Sequence, residues 1–80
     1  MPKLPQASGE SVVRLLTSLG YRVVRQRGSH AQLALTTPIG VHRITIPVHR
    51  VVAKGTLSDI LNAVSLRVGI PKEELTRRLG

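Results

Sequence analysis

The chain has no cysteine, no tryptophan and no phenylalanine, one tyrosine, and only four acidic residues among 80. Without cysteine there is no disulfide, no thiolate nucleophile and no Cys-containing zinc site, and nothing calls for an oxidising compartment. Without Phe or Trp, the core must be assembled from Val, Ile, Leu and Ala. At this length that suffices for one helix-on-sheet core and excludes a large enclosed cavity. No run of about 18 apolar residues occurs, and Met1-Pro2-Lys3-Leu4-Pro5 carries no apolar stretch of signal length. The expectation is a cytoplasmic protein with no membrane partner.

What the chain has in excess is positive charge. Twelve Lys and Arg against four Asp and Glu give a net charge of +8. Most of the cations are arginines, whose planar fork grips phosphate oxygens in pairs. Nucleic acid is the leading partner class. Two other readings stay open: a basic surface that only keeps a small protein soluble, and an acidic protein partner that covers it.

The pattern along the chain predicts one domain over residues 1–80. Residues 1–7, with prolines at 2 and 5, read as an irregular lead-in. Ser8 suits the N-cap of a first helix, Glu10 its positive end, and Val12, Leu15, Leu16 and Leu19 recur at helical spacing before Gly20 ends it. From Tyr21 the period becomes two. Simple alternation puts Tyr21, Val23 and Arg25 on one face of a strand and Arg22, Val24 and Gln26 on the other.

Arg27-Gly28-Ser29 then reads as a hairpin turn, and 30–36 as a second strand with Ala31, Leu33 and Leu35 inward and His30, Gln32, Ala34 and Thr36 outward. Thr37-Pro38-Ile39-Gly40 is a second turn. Residues 41–47 form a third strand with Ile44, Ile46 and His42 inward and Arg43 and Thr45 outward, stopped by Pro47.

The stretch 48–55 reads as a connection holding His49, Arg50 and Lys54. Thr56, with Asp59 three residues on, suits the cap of a second helix whose apolar stripe is Leu57, Ile60, Leu61, Val64 and Val68 and which Gly69 closes. A short third helix follows Pro71, acids first and arginines last. The predicted fold class is therefore α+β, α-β-β-β-α with a short C-terminal helix, both main helices covering one face of an antiparallel sheet. The other face stays open, carrying His30, Gln32, Arg43 and Thr45.

For proton transfer near neutral pH only the three histidines have a suitable intrinsic pKa, about 6.5. His30 has the best setting, outward on a strand after the Gly28-Ser29 turn and just beyond Arg25 and Arg27. RNA cleavage needs no metal if a base takes the 2′-hydroxyl proton and cations hold the charge that develops on phosphorus. A plain surface histidine bonded to its turn is the competing reading. His49, beside Arg50 in a loop, is a plausible secondary phosphate contact, and Lys54 with the amides of Gly55-Thr56-Leu57 is either a phosphate seat or simply a helix start. No metal site and no cofactor are expected: His30 and His42 fall on opposite faces, and the four carboxylates lie at 10, 59, 73 and 74, all in helices.

Gly28-Ser29-His30, Ile44-Thr45-Ile46-Pro47-Val48-His49 and Lys54-Gly55-Thr56-Leu57 followed by Ile60-Leu61 resemble, in this order, the HicA (YcfA-like) toxins of toxin–antitoxin systems. The resemblance spans roughly residues 11–75. It implies a fold like that of double-stranded RNA-binding domains and a ribonuclease that cuts messenger RNA and stops growth, with His30 as the catalytic histidine. It also implies a HicB-type antitoxin that covers the site, and contact with operator DNA only through that antitoxin. The reading of the residues adds Arg25, Arg27, Arg43 and Lys54 as phosphate-binding candidates and Gly28 and Ser29 as the turn that shapes the site. A non-catalytic module of the same fold, similar to those that bind double-stranded RNA, is the alternative.

Overall fold

A computed structural model describes Leu4 and residues 6–79. In chain order the elements are β1 (Ala7–Ser8), α1 (Gly9–Ser18), β2 (Arg22–Arg27), β3 (His30–Thr37), β4 (Gly40–Pro47), β5 (Val51–Val52), α2 (Lys54–Val68) and α3 (Lys72–Leu79). β2, β3 and β4 form an antiparallel sheet in that order, as the two hairpin-length turns require. The α+β class and the α-β-β-β-α arrangement of double-stranded RNA-binding domains are thus realised, with α3 added at the end.

One face of the sheet supplies Ala31, Leu33 and Ile46 to a core that takes Val12, Leu15 and Leu16 from α1, Leu57, Ile60, Leu61 and Val64 from α2, and Leu75 from α3. Each of these leucines and isoleucines removed from water contributes roughly 1.5–3 kcal/mol. Aliphatic side chains therefore suffice to hold three helices under one sheet face. α1 starts where expected: the Ser8 hydroxyl accepts a hydrogen bond from the Ser11 amide at 3.2 Å. Its first residue, Gly9, lies directly on β4. A Cβ there would overlap the Pro47 carbonyl and stand 2.7 Å from the Val48 Cα, so only glycine allows this approach.

Three expectations are corrected. Ala7 and Val52, read as lead-in and connection, pair in the two-stranded β1–β5 ladder, and both are buried. Two-residue strands are too short to show alternation. Of the lead-in, residues 1–3 and 5 lie outside the described residues. α2 begins at Lys54 rather than after Thr56. Its N-cap is Ala53, which makes no side-chain cap but whose carbonyl accepts from the Leu57 amide at 2.8 Å, because the chain leaves β5 straight into the helix. The third correction concerns β2 and decides the site: Val23 stands opposite Leu33 but Arg25 opposite Gln32, leaving Val24 as an extra residue in a β-bulge.

Candidate active site

The bulge reverses the alternation of β2 halfway along. Arg22 pairs with Ala34 on the open face and Val23 with Leu33 on the covered one. Beyond Val24, Arg25 pairs with Gln32 and Arg27 with His30, again on the open face. Simple alternation would have left Arg25 on the face of buried Tyr21. Because of one additional residue, three arginines of one strand share the face of His30.

The turn completes the placement. Gly28 has φ 59° and Ser29 an ordinary negative φ, the type II′ pattern of two-residue hairpins, which demands glycine first. The Ser29 carbonyl accepts from the Val48 amide at 2.7 Å, which ties the turn to the end of β4. His30 therefore opens β3 between Arg27 and Pro47, and the next outward residue, Gln32, sits between Arg25 and Thr45. Arg25, Arg27, His30, Gln32 and Thr45 together line a shallow open depression of about 200 Å³. Gln32 and Thr45 were legible as open-face residues, but their membership in the site follows only from the register.

No strand carries a carboxylate: Glu10 lies on α1, Asp59 on α2, and Glu73 and Glu74 on α3. Among the described residues, the carboxylate contacts join Glu10 to His49 and Glu74 to Arg77 and Arg78, so no described carboxylate pairs with the cations of the sheet face. The histidine and arginines of the depression make no side-chain hydrogen bond within the described residues and are free for a ligand. An imidazole beside two guanidinium forks on an open surface can move a proton while cations hold phosphate oxygens.

The remaining candidates lie elsewhere. Arg43 shares the open face but stands opposite Ala34, four residues along β3 from His30, about 13 Å away. His49 points toward the start of α1, its Nδ1 3.8 Å from Glu10 Oε1, with both side chains well exposed. Lys54 borders a separate hollow with Gln6, Val51, Val52 and Ala53. His42 is on the covered side, where its Nδ1 meets the Tyr21 hydroxyl at 2.6 Å. Burial, and secondarily the positive Arg67, holds its pKa below the ordinary histidine value. His30 and His42 are thus on opposite faces, and among the described residues no three His, Asp or Glu side chains converge as a metal-binding group. Nor is any described helix long and apolar enough to cross a membrane.

Fold and face together define a class: a small basic α+β domain, arranged like the double-stranded RNA-binding domains, whose helices cover one side of a sheet and whose bare side is cationic and carries one histidine. Within that class the sequence places it further. A family model described as the HicA toxin of bacterial toxin–antitoxin systems matches residues 9–66, well over half of the chain, and the chain belongs to that family. It is accordingly a toxin of a toxin–antitoxin pair, with an antitoxin as its partner. Comparison with curated proteins and with solved structures finds no match.

Proposed function

We propose that this toxin is a metal-independent endoribonuclease of messenger RNA, with His30 as its proton-transfer group. The observation that carries the reading is the depression in which His30 is flanked by Arg25 and Arg27 with no carboxylate on the sheet. The neutral imidazole takes the proton of a ribose 2′-hydroxyl. The 2′-oxygen bonds to the adjacent phosphorus, and the bond from phosphorus to the 5′-oxygen breaks. A 2′,3′-cyclic phosphate and a 5′-hydroxyl result once the imidazolium or water has returned a proton to the departing oxygen. Arg25 and Arg27 hold the non-bridging oxygens, on which charge builds. Gly28 and Ser29 supply the turn that presents the imidazole.

The same face suits the antitoxin. A HicB-type antitoxin that lays acidic groups over the arginines blocks RNA access, and any contact with operator DNA is made by the antitoxin. The setting for both partners is the cytoplasm.

Cleavage of a messenger RNA by wild type and by His30→Ala, each in excess EDTA, tests the mechanism. The substitution should lower the rate by about 10²–10⁴, the usual span of general acid–base catalysis, and leave RNA affinity within a few-fold. Equal rates would overturn it, and loss of wild-type cleavage in EDTA would overturn metal independence. One observation favours a second reading, a non-catalytic RNA-binding module: among the described residues the histidine ring held by a side-chain hydrogen bond is His42, not His30. That reading predicts RNA binding by wild type without cleavage and without growth arrest on expression.

A further inference from the structure

Successive outward positions of the sheet fall into cross-strand rungs. The first joins Arg27, His30 and Pro47, the second Arg25, Gln32 and Thr45, and the third Arg22, Ala34 and Arg43. In the third rung two arginines flank an alanine, whose methyl is too short to fill the space between them. Each arginine is one strand spacing, about 4.8 Å, from Ala34, so both guanidinium forks can reach one group seated above it. Both are exposed, and no described carboxylate pairs with either. The depression around His30 includes neither.

Consecutive rungs are two residues apart, about 6.6 Å, a distance comparable to the phosphate-to-phosphate step of an extended single strand. The whole face is three strands, about 10 Å, wide, which is room for one strand of nucleic acid. We infer that Arg22 and Arg43 form a second phosphate subsite over Ala34, two nucleotide steps from the phosphate attacked at His30, so that one extended RNA strand lies along β3. The inference rests on the RNA-cleaving reading for its substrate and adds to it a path and a length.

The test is binding, so that it does not depend on turnover. Fluorescent oligoribonucleotides of two to eight nucleotides are titrated with His30→Ala protein, alone and combined with Arg22→Ala/Arg43→Ala. A control combination, Arg14→Ala/Arg77→Ala, removes the same charge from the helices. Affinity should step up once the strand is long enough to span His30 and Ala34, at about four nucleotides. The Arg22→Ala/Arg43→Ala change should erase that step, weakening long strands roughly tenfold, the size of one charge-assisted hydrogen bond. It should leave dinucleotide binding unaltered and make the dependence of log affinity on log salt shallower by about 0.7 per phosphate lost.

Equal weakening of short and long strands, or the same loss in the helix control, would overturn the subsite in favour of bulk charge. No effect on any length would overturn it outright. Cleavage of messenger RNA by wild type, measured in parallel, separates the two failures. A length step without cleavage retains the subsite and removes the ribonuclease, and cleavage without a step does the reverse.

Discussion

Tyr21 is the one Tyr, Phe or Trp of the chain and is only 2% exposed, so its hydroxyl must find a partner inside the fold. His42 Nδ1 serves at 2.6 Å, with the rings edge to face at 5.8 Å. Burial holds both groups neutral: the phenol is pushed above its ordinary value of 10.0 and the imidazole below 6.5. In the unfolded chain both titrate at their ordinary values. As pH falls below 6.5 the unfolded chain binds the His42 proton first, so stability present above that value is lost toward the lower folded pKa. As pH rises above 10.0 the unfolded phenol ionises first, and stability is lost toward the higher folded pKa. Urea midpoints should therefore be lower at pH 5.5 than at pH 7.5, and His42→Gln should flatten that difference. Equal midpoints in the wild type would show that the imidazole titrates as it does in water. Tyr21→Phe, which leaves Nδ1 without its partner, should cost about 1 kcal/mol at pH 7.5.

At the scale of elements, α3 shows what fixes a piece too short to be helical alone. It is polar except for Leu75, fully buried, and Leu79, packed at the edge of the core. Glu74 is forked by Arg77 at 2.6 Å and Arg78 at 3.2 Å, and these hydrogen bonds, Arg77's first, hold its carboxyl below the ordinary value. That fork is open to solvent and adds little. Leu75→Ala should thus cost about 2–5 kcal/mol in urea unfolding, whereas Glu74→Gln should leave the midpoint nearly unchanged. Similar losses would mean that the surface fork docks the helix as much as the leucine does. Apolar spacing made α1, α2 and the inward set Ala31, Leu33 and Leu35 of β3 legible in the sequence, because long elements repeat their signal, whereas α3 was legible from Pro71 and its order of acids and arginines. β2 did not reveal its bulge. Val23-Val24 and the arginines around them fit either phase of alternation, and only pairing with β3 shows that one phase holds before Val24 and the other after it. His30 on an open face, with Arg25 and Arg27 just before it, could thus be read from residues alone, whereas the placing of Arg25 on that face between the rungs of His30 and Ala34, and the pairing of Arg22 with Arg43 across Ala34, are products of register.

At the scale of the whole molecule, a net charge of +8 sits on a body whose Cα radius of gyration is 11.8 Å. The fold extends 31 × 31 × 19 Å, beyond the screening length of about 10 Å at 0.1 M salt, so repulsion is felt mainly between neighbouring cations such as the arginines of the sheet face. Among the described residues, only Glu10 and Glu74 take part in ion pairs, and neither is on the sheet. The free protein therefore carries an unrelieved repulsion that, on the proposed function, an acidic antitoxin or an RNA backbone would remove, and either should then stabilise the fold by mass action. Simple salt separates the two consequences of this charge. Ions that screen the arginines from one another favour the compact state, but on the proposed function they also compete for the contacts to RNA. Raising sodium chloride from 0.05 to 0.5 M should thus raise the melting temperature, by about 4–8 °C for each kcal/mol of repulsion relieved, while RNA affinity falls. Thermal unfolding followed by circular dichroism, which suits a chain without tryptophan, and RNA titration in the same buffers measure both. A melting temperature that stays level or falls would mean that the folded chain disperses its charge well enough to need no partner for stability, and that the bare arginine face serves recognition alone.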